Sequence, residues 1–290
     1  MSTWSAAPTC MWGAIAGDTT GSPYEWHNIK YKLPPEDMVT GHARFTDDSV
    51  MTCAVAEGLM RGLEQLPRDW LTGDRQQAET VIKGELIRAM KQYGRRFPRA
   101  GYGGSFRLWL TSEQSAPYNS WGNGSAMRVS FAGWAAHSLE EAETLAAWSA
   151  EVTHNHPEGV KGAQAVAGSL FLLRSGGSKA DVRVYASRYY DLDFTLDDIR
   201  AAYEFDVSCQ GSVPQAIVAF LTGQDFADVL AEAISIGGDS DTIAAIAGSL
   251  AEVIYPIPAP LLIRVKERCD PFLWQTVERA DAFLKAGGLR

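Results

Sequence analysis

The sequence predicts an all-α protein, and three observations carry that expectation. Apolar residues between Thr80 and Tyr93 fall at Val81, Ile82, Leu86, Ala89, Met90 and Tyr93, the three-and-four spacing that gives a helix one buried face. Helix-start signatures recur, with Ser138 three residues before Glu141, Ser178 before Asp181 and Thr195 before Asp198. Each sets a hydroxyl and an acid where they can satisfy free backbone N–H groups. No segment alternates β-branched or aromatic residues with polar ones over a strand's length between turn signals.

Taken in order, Gly13 to Glu25 packs small residues densely and then presents Asp18 and Glu25, which suits a close helix contact followed by a turn. An irregular insertion follows at about residues 26–44, from Trp26 to Arg44, and then a helical run begins at Phe45. The helix through Thr80–Tyr93 ends in Lys91, Arg95, Arg96 and Arg99, cations that complement its C-terminal dipole. Gly101–Gly104 and Ser120–Gly124 are loops. Further helices are predicted from Ser138, over Glu158–Arg174 with Gly176-Gly177 as its stop, and from Ser178 and Thr195. Pro214–Leu221, Phe226–Ile236, a tightly packed internal helix in Thr242–Ile263, and Phe272–Lys285 complete the set. No linker-like tract or fixed-period repeat divides the chain, so one domain spanning residues 1–290 is expected.

Composition narrows the function. With 46% hydrophobic and 21% charged residues, the 290-residue chain can bury a substantial core. Lys and Arg number 26 against 35 Asp and Glu, and the net charge of -9 opposes attraction to nucleic acid or anionic lipid. Cys10, Cys53, Cys209 and Cys269 stand far apart without a Cys-x-x-Cys pair, which fits a reducing cytosol and signals neither zinc knuckle nor redox dithiol. Met1–Met11 lacks the pattern of a secretory signal, and Glu252 with three prolines interrupts the one membrane-like stretch. A cytoplasmic protein that does not enter a membrane is expected.

The chemistry concentrates in Phe45-Thr46-Asp47-Asp48-Ser49 and Gly237-Gly238-Asp239-Ser240-Asp241-Thr242, each just ahead of a helical run. Capping alone explains an acid or a threonine at a helix start, contributing about 0.5–2 kcal/mol. Yet a cap needs one side chain, and each segment supplies two acids and a threonine. Hard oxygen donors without neighbouring Cys or metal-spaced His suit magnesium, manganese or calcium, and the spacing is not that of an EF-hand. On composition, a two-segment metal site and a pair of surface caps stand level.

Gly122-Asn123-Gly124-Ser125-Ala126-Met127-Arg128 is a glycine loop whose N–H groups and Ser hydroxyl can receive phosphate oxygens, or a plain turn with a cap. It is neither a dinucleotide fingerprint nor a Walker loop. Thr153-His154-Asn155-His156-Pro157-Glu158-Gly159 places two histidines before a helix, where they serve as caps or as partners for a sugar hydroxyl. Trp109, Tyr118 and Trp121 flank the glycine loop and are either core or a stacking surface for a base.

The ordered set Gly13–Glu25, Phe45–Thr52, Gly122–Arg128, Thr153–Gly162 and Gly237–Thr242 resembles the ADP-ribosylglycohydrolase family, over nearly the whole chain. The resemblance implies one large orthogonal helical bundle with two Mg²⁺ or Mn²⁺ ions at the base of an ADP-ribose cleft. It makes Thr46, Asp47, Asp48, Asp239, Asp241 and Thr242 the expected metal ligands. It places the diphosphate at Gly122, Asn123, Gly124 and Ser125, with Met127 and Arg128 lining or bracing that loop. His154 or His156 is then expected near the ribose and Trp121 beside the ligand. Glu25 matches an acid that closes over the metals in the serine-directed branch, where the 26–44 insertion corresponds to a movable flap.

The implied activity is hydrolysis at C1 of the distal ribose, releasing ADP-ribose from an arginine or serine side chain. Charge develops there as in other glycoside cleavages, and Glu25, with Asp47 or Asp48 as alternatives, is the expected acid–base group. The substrate is an ADP-ribosylated protein or a small ADP-ribosyl compound, and the protein is expected to be a monomer. Two other readings compete: a non-catalytic ADP-ribose-binding module, and a metal phosphohydrolase cutting the diphosphate.

Overall fold

The computed structural model describes residues 10–287, which form fifteen α-helices, with no β-strand among the described residues. The all-α expectation therefore holds.

The fold is built around a buried helix. Helix α1 (Trp12–Gly21) is buried at every position and lies along α13 (Ser240–Ile254), itself buried from Ser240 to Glu252. A helix apolar on all sides belongs in a core. The close approach depends on the glycines of α1. A Cβ on Gly13 would stand 2.8 Å from Cβ of Glu252, one on Gly17 would fall on the Ala244 carbonyl, and one on Gly21 would stand 2.5 Å from Cα of Asp241. Glu252 completes the junction from the side of α13, accepting the N–H groups of Met11 at 2.9 Å and Gly13 at 2.7 Å.

On one flank, α2 (Asp47–Leu63) packs on α1, on α3 (Arg75–Arg96) and on α15 (Pro271–Ala286). On the other, α8 (Pro157–Arg174) is surrounded by α5 (Gly124–Met127), α6 (Ser130–Ala135), α7 (Leu139–Glu151) and α9 (Lys179–Ala186). Helices α11 (Cys209–Thr222) and α12 (Phe226–Ser235) cover α13, while α4 (Gly104–Thr111), α10 (Leu196–Arg200) and α14 (Ala259–Arg268) lie beside α3, α11 and α1. Buried apolar residues form one cluster from Cys10 to Leu284, which includes all four cysteines, none of them in a disulfide. No described helix is long and apolar enough to cross a membrane.

Local signals hold closely where they are strong. Ser178 and Thr195 form complete capping boxes with Asp181 and Asp198. Helix α8 ends in a Schellman arrangement: Gly176 is left-handed at φ 89°, and Gly177 N–H and Gly176 N–H donate to the carbonyls of Leu172 at 2.8 Å and Leu173 at 3.0 Å.

Three expectations need correction. The internal helix predicted in Thr242–Ile263 is split into α13 and α14, because Pro256 and Pro258 cannot continue a helical ladder. The helix predicted to start at Pro214 starts at Cys209, with Ser208 as its cap and Pro214 inside it. At Ser138 only half of the capping box forms, since the Glu141 carboxylate accepts from the His137 N–H at 2.5 Å instead.

Residues 26–44 are irregular apart from a 3₁₀ turn at Pro35–Asp37. They bury Leu33, Met38, Val39 and Ala43. Lys32 pairs with Asp228 at 2.6 Å and Glu232 at 2.9 Å, and Arg264 donates to the Glu36 carbonyl at 2.9 Å.

Candidate active site

The two acidic segments meet. Helices α2 and α13 begin side by side because α1 packs between them, and their first turns carry Asp47, Asp48, Asp241 and Thr242, with Asp239 just ahead of α13. The loop into α13 turns sharply through Gly237 and Gly238, left-handed at φ 73° and 70°, and the Asn28 side chain accepts the Gly238 N–H at 3.2 Å. Capping accounts for Thr46, which accepts the Asp48 N–H at 3.4 Å. It does not account for Asp239, whose side chain makes no cap bond.

These acids are crowded, and no Lys or Arg forms an ion pair with them among the described residues. Burial, then the neighbouring Asp241, pushes the Asp47 carboxyl up to about 8 and that of Glu25 up to about 7. Asp239 rises to about 6, chiefly by burial. Asp48 and Asp241 are held well above the usual carboxylate range, first by burial and then by their acidic neighbours. Such a cluster favours either protonation or a bound cation.

The donor set fits a hard cation. Carboxylate oxygens of Asp18, Asp48 and Asp241 lie within 4.8 Å of one another, as do those of Glu25, Asp239 and Asp241. Asp241 is common to both sets. Oδ1 of Asp48 is buried without a hydrogen-bond partner, which a coordination bond would supply.

Above the acids opens a cleft of about 390 Å³. Of the residues singled out from sequence, Glu25, Asp47, Asp48, Asp239, Asp241, Thr242, Gly122, Asn123, Gly124, Met127, Arg128 and His154 all line it. Asn123 joins the glycine loop to the acids, donating to Oδ2 of Asp239 at 2.6 Å and to the Ser212 hydroxyl at 2.9 Å. Gly101, left-handed at φ 119°, turns over Asp47, so that a Cβ there would stand 3.0 Å from the carboxylate.

Other residues lie just behind the lining or away from it. Thr46 donates to Asp18 at 2.7 Å, behind the acids. The Ser125 hydroxyl donates to the Gly159 carbonyl at 2.7 Å, bracing the loop from beneath. Trp121 and His156 pack edge to face with ring centroids 5.8 Å apart, and neither is part of the cleft lining. His156 instead caps α8, accepting the Glu158 N–H at 3.1 Å.

The sequence presents Asp18 without its role, and it gives no sign of an aromatic pair at the cleft. Asp18 is fully buried and holds the start of α2: one oxygen accepts the Thr46 hydroxyl, and the other accepts the N–H groups of Thr46 at 2.8 Å and Ser49 at 3.1 Å together with the Ser49 hydroxyl. An acid inside a helix of otherwise small buried residues was the available signal. The aromatic pair, Trp26 and Phe205, stacks at the cleft with centroids 4.6 Å apart, joining the 26–44 insertion to the loop before α11. Nothing local in the sequence pairs them.

Residues 5–286 match the family described as ADP-ribosylglycohydrolase. Relatives in sequence include the ADP-ribosylhydrolase ARH3 of Mus musculus, 26% identical with 85% of this chain and 82% of that protein covered. The ADP-ribosylhydrolase ARH3 of Homo sapiens is 27% identical, with 85% and 84% covered. Among solved structures, an ADP-ribosylglycohydrolase-related protein complex superposes with a TM-score of 0.66 over 95% of both chains at 20% identity, a likeness of fold.

Proposed function

Because the chain belongs to the ADP-ribosylglycohydrolase family, a family of glycosyl-bond hydrolases, we propose that it is a divalent-metal-dependent enzyme removing ADP-ribose from an arginine or serine side chain. Water attacks C1 of the distal ribose. The observation that carries this reading is the meeting of Glu25, Asp47, Asp48, Asp239 and Asp241, from three separate segments, at the floor of one cleft.

Thr46, Asp47, Asp48, Asp239, Asp241 and Thr242 would hold two Mg²⁺ or Mn²⁺ ions, and Asp18 would brace the first segment. Bound ions would offset the crowded negative charge and polarise the attacking water. Glu25 is half-buried with its pKa near 7, which suits a group that takes a proton from water and returns it to the departing side chain. Asp47 and Asp48 are the alternatives. The Gly122–Gly124 turn and Asn123 would receive the diphosphate, Ser125, Met127 and Arg128 would line or brace that turn, and His154 would lie near the ribose. Trp121 and His156, which pack together beside the lining, would engage the ligand's outer edge. The stacked Trp26 and Phe205, at the cleft lining, would shield one side of the reacting bond from solvent.

The same reading takes residues 1–290 as one domain with 26–44 as a flap-like insertion. It takes the protein as a cytoplasmic monomer acting on ADP-ribosylated protein or a small ADP-ribosyl substrate.

Asp239→Asn and Asp47→Asn should each abolish release of free ADP-ribose from arginine-linked and serine-linked peptides while leaving the helical circular-dichroism spectrum intact. Parent-level rates for both variants, in chelator-treated buffer with magnesium restored, would refute the metal assignment. Release of AMP would indicate diphosphate cleavage, and stoichiometric capture without turnover a binding module.

A further inference from the structure

Beside the cleft lies a buried hydrogen-bond chain in which one assignment of the protons satisfies every donor. Arg128 is 1% exposed, and its Nη2 donates to the Ser149 carbonyl at 3.0 Å and to the Thr153 hydroxyl at 2.8 Å. A guanidinium only donates, so the Thr153 oxygen is the acceptor in that bond. Burial lowers the Arg128 pKa to about 10, which leaves the group charged at neutral pH. Among the described residues, the remaining partner of the Thr153 hydroxyl is Nδ1 of His154, at 2.7 Å. The hydroxyl has one proton, and with no other acceptor beside it among the described residues that proton is satisfied only when Nδ1 is bare.

His154 is itself 5% exposed, and burial together with the Arg128 charge holds its pKa well below the usual histidine range. The ring facing it across the cleft wall, Tyr118, has its centroid 5.8 Å away and is kept neutral by burial, its pKa pushed up to about 12. A neutral imidazole with a bare Nδ1 carries its proton on Nε2. That nitrogen faces the glycine turn: a Cβ at Gly124 would stand 3.1 Å from it, and one at Gly122 3.5 Å. Both glycines and His154 line the cleft.

We propose that Arg128 and Thr153 are positioning residues that fix His154 as an Nε2–H donor into the cleft, selecting ligands that present an oxygen acceptor above the glycine turn. The inference rests on the reading of this cleft as an ADP-ribose site. It adds to that reading a reason for a buried arginine and a buried threonine beside the His154 ring.

The test reads the ring directly. A long-range ¹H–¹⁵N correlation spectrum of the intact ¹⁵N-labelled protein should show His154 as the Nε2–H tautomer at neutral pH. Thr153→Ser should preserve that pattern, whereas Thr153→Val, which removes the donor to Nδ1, should shift it toward Nδ1–H. ADP-ribose binding by calorimetry should weaken by about tenfold in Thr153→Val, the loss expected for one hydrogen bond, and by less than about twofold in Thr153→Ser. An Nδ1–H ring in the parent protein, or full affinity in Thr153→Val despite a changed tautomer, would overturn the proposal. If the parent protein failed to bind ADP-ribose, the functional reading would fall, while the ring spectrum would still decide the tautomer.

Discussion

The Thr242 hydroxyl donates to Oδ2 of Asp48 at 3.3 Å, joining the starts of α13 and α2 across 194 positions of sequence. Two motifs that separately resemble helix caps are thereby one site, and their acids share a single electrostatic problem. The fold creates that crowding, and bound protons or cations relieve it.

Glu25→Gln removes the titratable group at the cleft while keeping its size and position. Turnover should fall by about 10²–10³-fold, with ADP-ribose affinity changed no more than a few-fold. Steady-state kinetics alongside calorimetry separate the two effects. A variant retaining more than about a tenth of parental turnover would move the acid–base role to Asp47 or Asp48.

The metal-free protein should become less stable as pH rises. Glu25, Asp239 and Asp47 have folded-state values of about 7, 6 and 8, raised from 4.5, 3.8 and 3.8. Between those limits the folded state binds more protons than the unfolded chain, so the stabilisation is complete at the acidic end and is lost as pH climbs through the folded values. Thermal melts in EDTA should therefore fall in midpoint from pH 5 to pH 8, and Mg²⁺ should flatten that slope by replacing the protons. A midpoint that rises over this range without metal would show that the acids have cationic partners.

Asp18→Ala should cost about 2–4 kcal/mol, because it leaves the N–H groups of Thr46 and Ser49 buried without an acceptor. Turnover should fall with it, since the first turn of α2 carries Asp47 and Asp48. Urea titration measures the stability change. Asp18→Asn, which keeps one acceptor oxygen, should lose less.

Gly17→Ala should cost at least about 2 kcal/mol by overpacking, since the new methyl group would collide with the Ala244 carbonyl of α13. Gly41→Ala is the matched control: a Cβ there meets nothing within 4 Å, and its effect should stay within about 0.5 kcal/mol. Equal urea midpoints for the two variants would argue against the close contact of α1 with α13.

The helices were legible where their causes are local. Apolar spacing marks α3, Ser178 and Thr195 announce α9 and α10, and Gly176-Gly177 stops α8, because each signal acts within one or two turns of chain. The misreadings lie where local signals compete. Pro214 reads as a helix start but sits inside α11, and a long apolar run hides the break at Pro256 and Pro258. In the site, Thr46, Asp47, Asp48, Asp239, Asp241 and Thr242 stand out because acids and hydroxyls crowd at helix starts. The bracing role of Asp18 does not, since the groups that need it lie 28 and 31 positions onward.

Sequence by itself therefore determined the helical class, the family and the kinds of side chain available for chemistry, since periodicity, caps and motif order are properties of neighbouring residues. Only the tertiary structure decided which of those side chains share the cleft. It placed Trp26 and Phe205 together at the lining, packed Trp121 against His156 beside it, and enclosed Arg128 and Thr153 behind His154. The physical reason is that burial and hydrogen bonding between distant segments depend on how α1, α2, α8 and α13 pack, and that packing sums contacts across the whole chain.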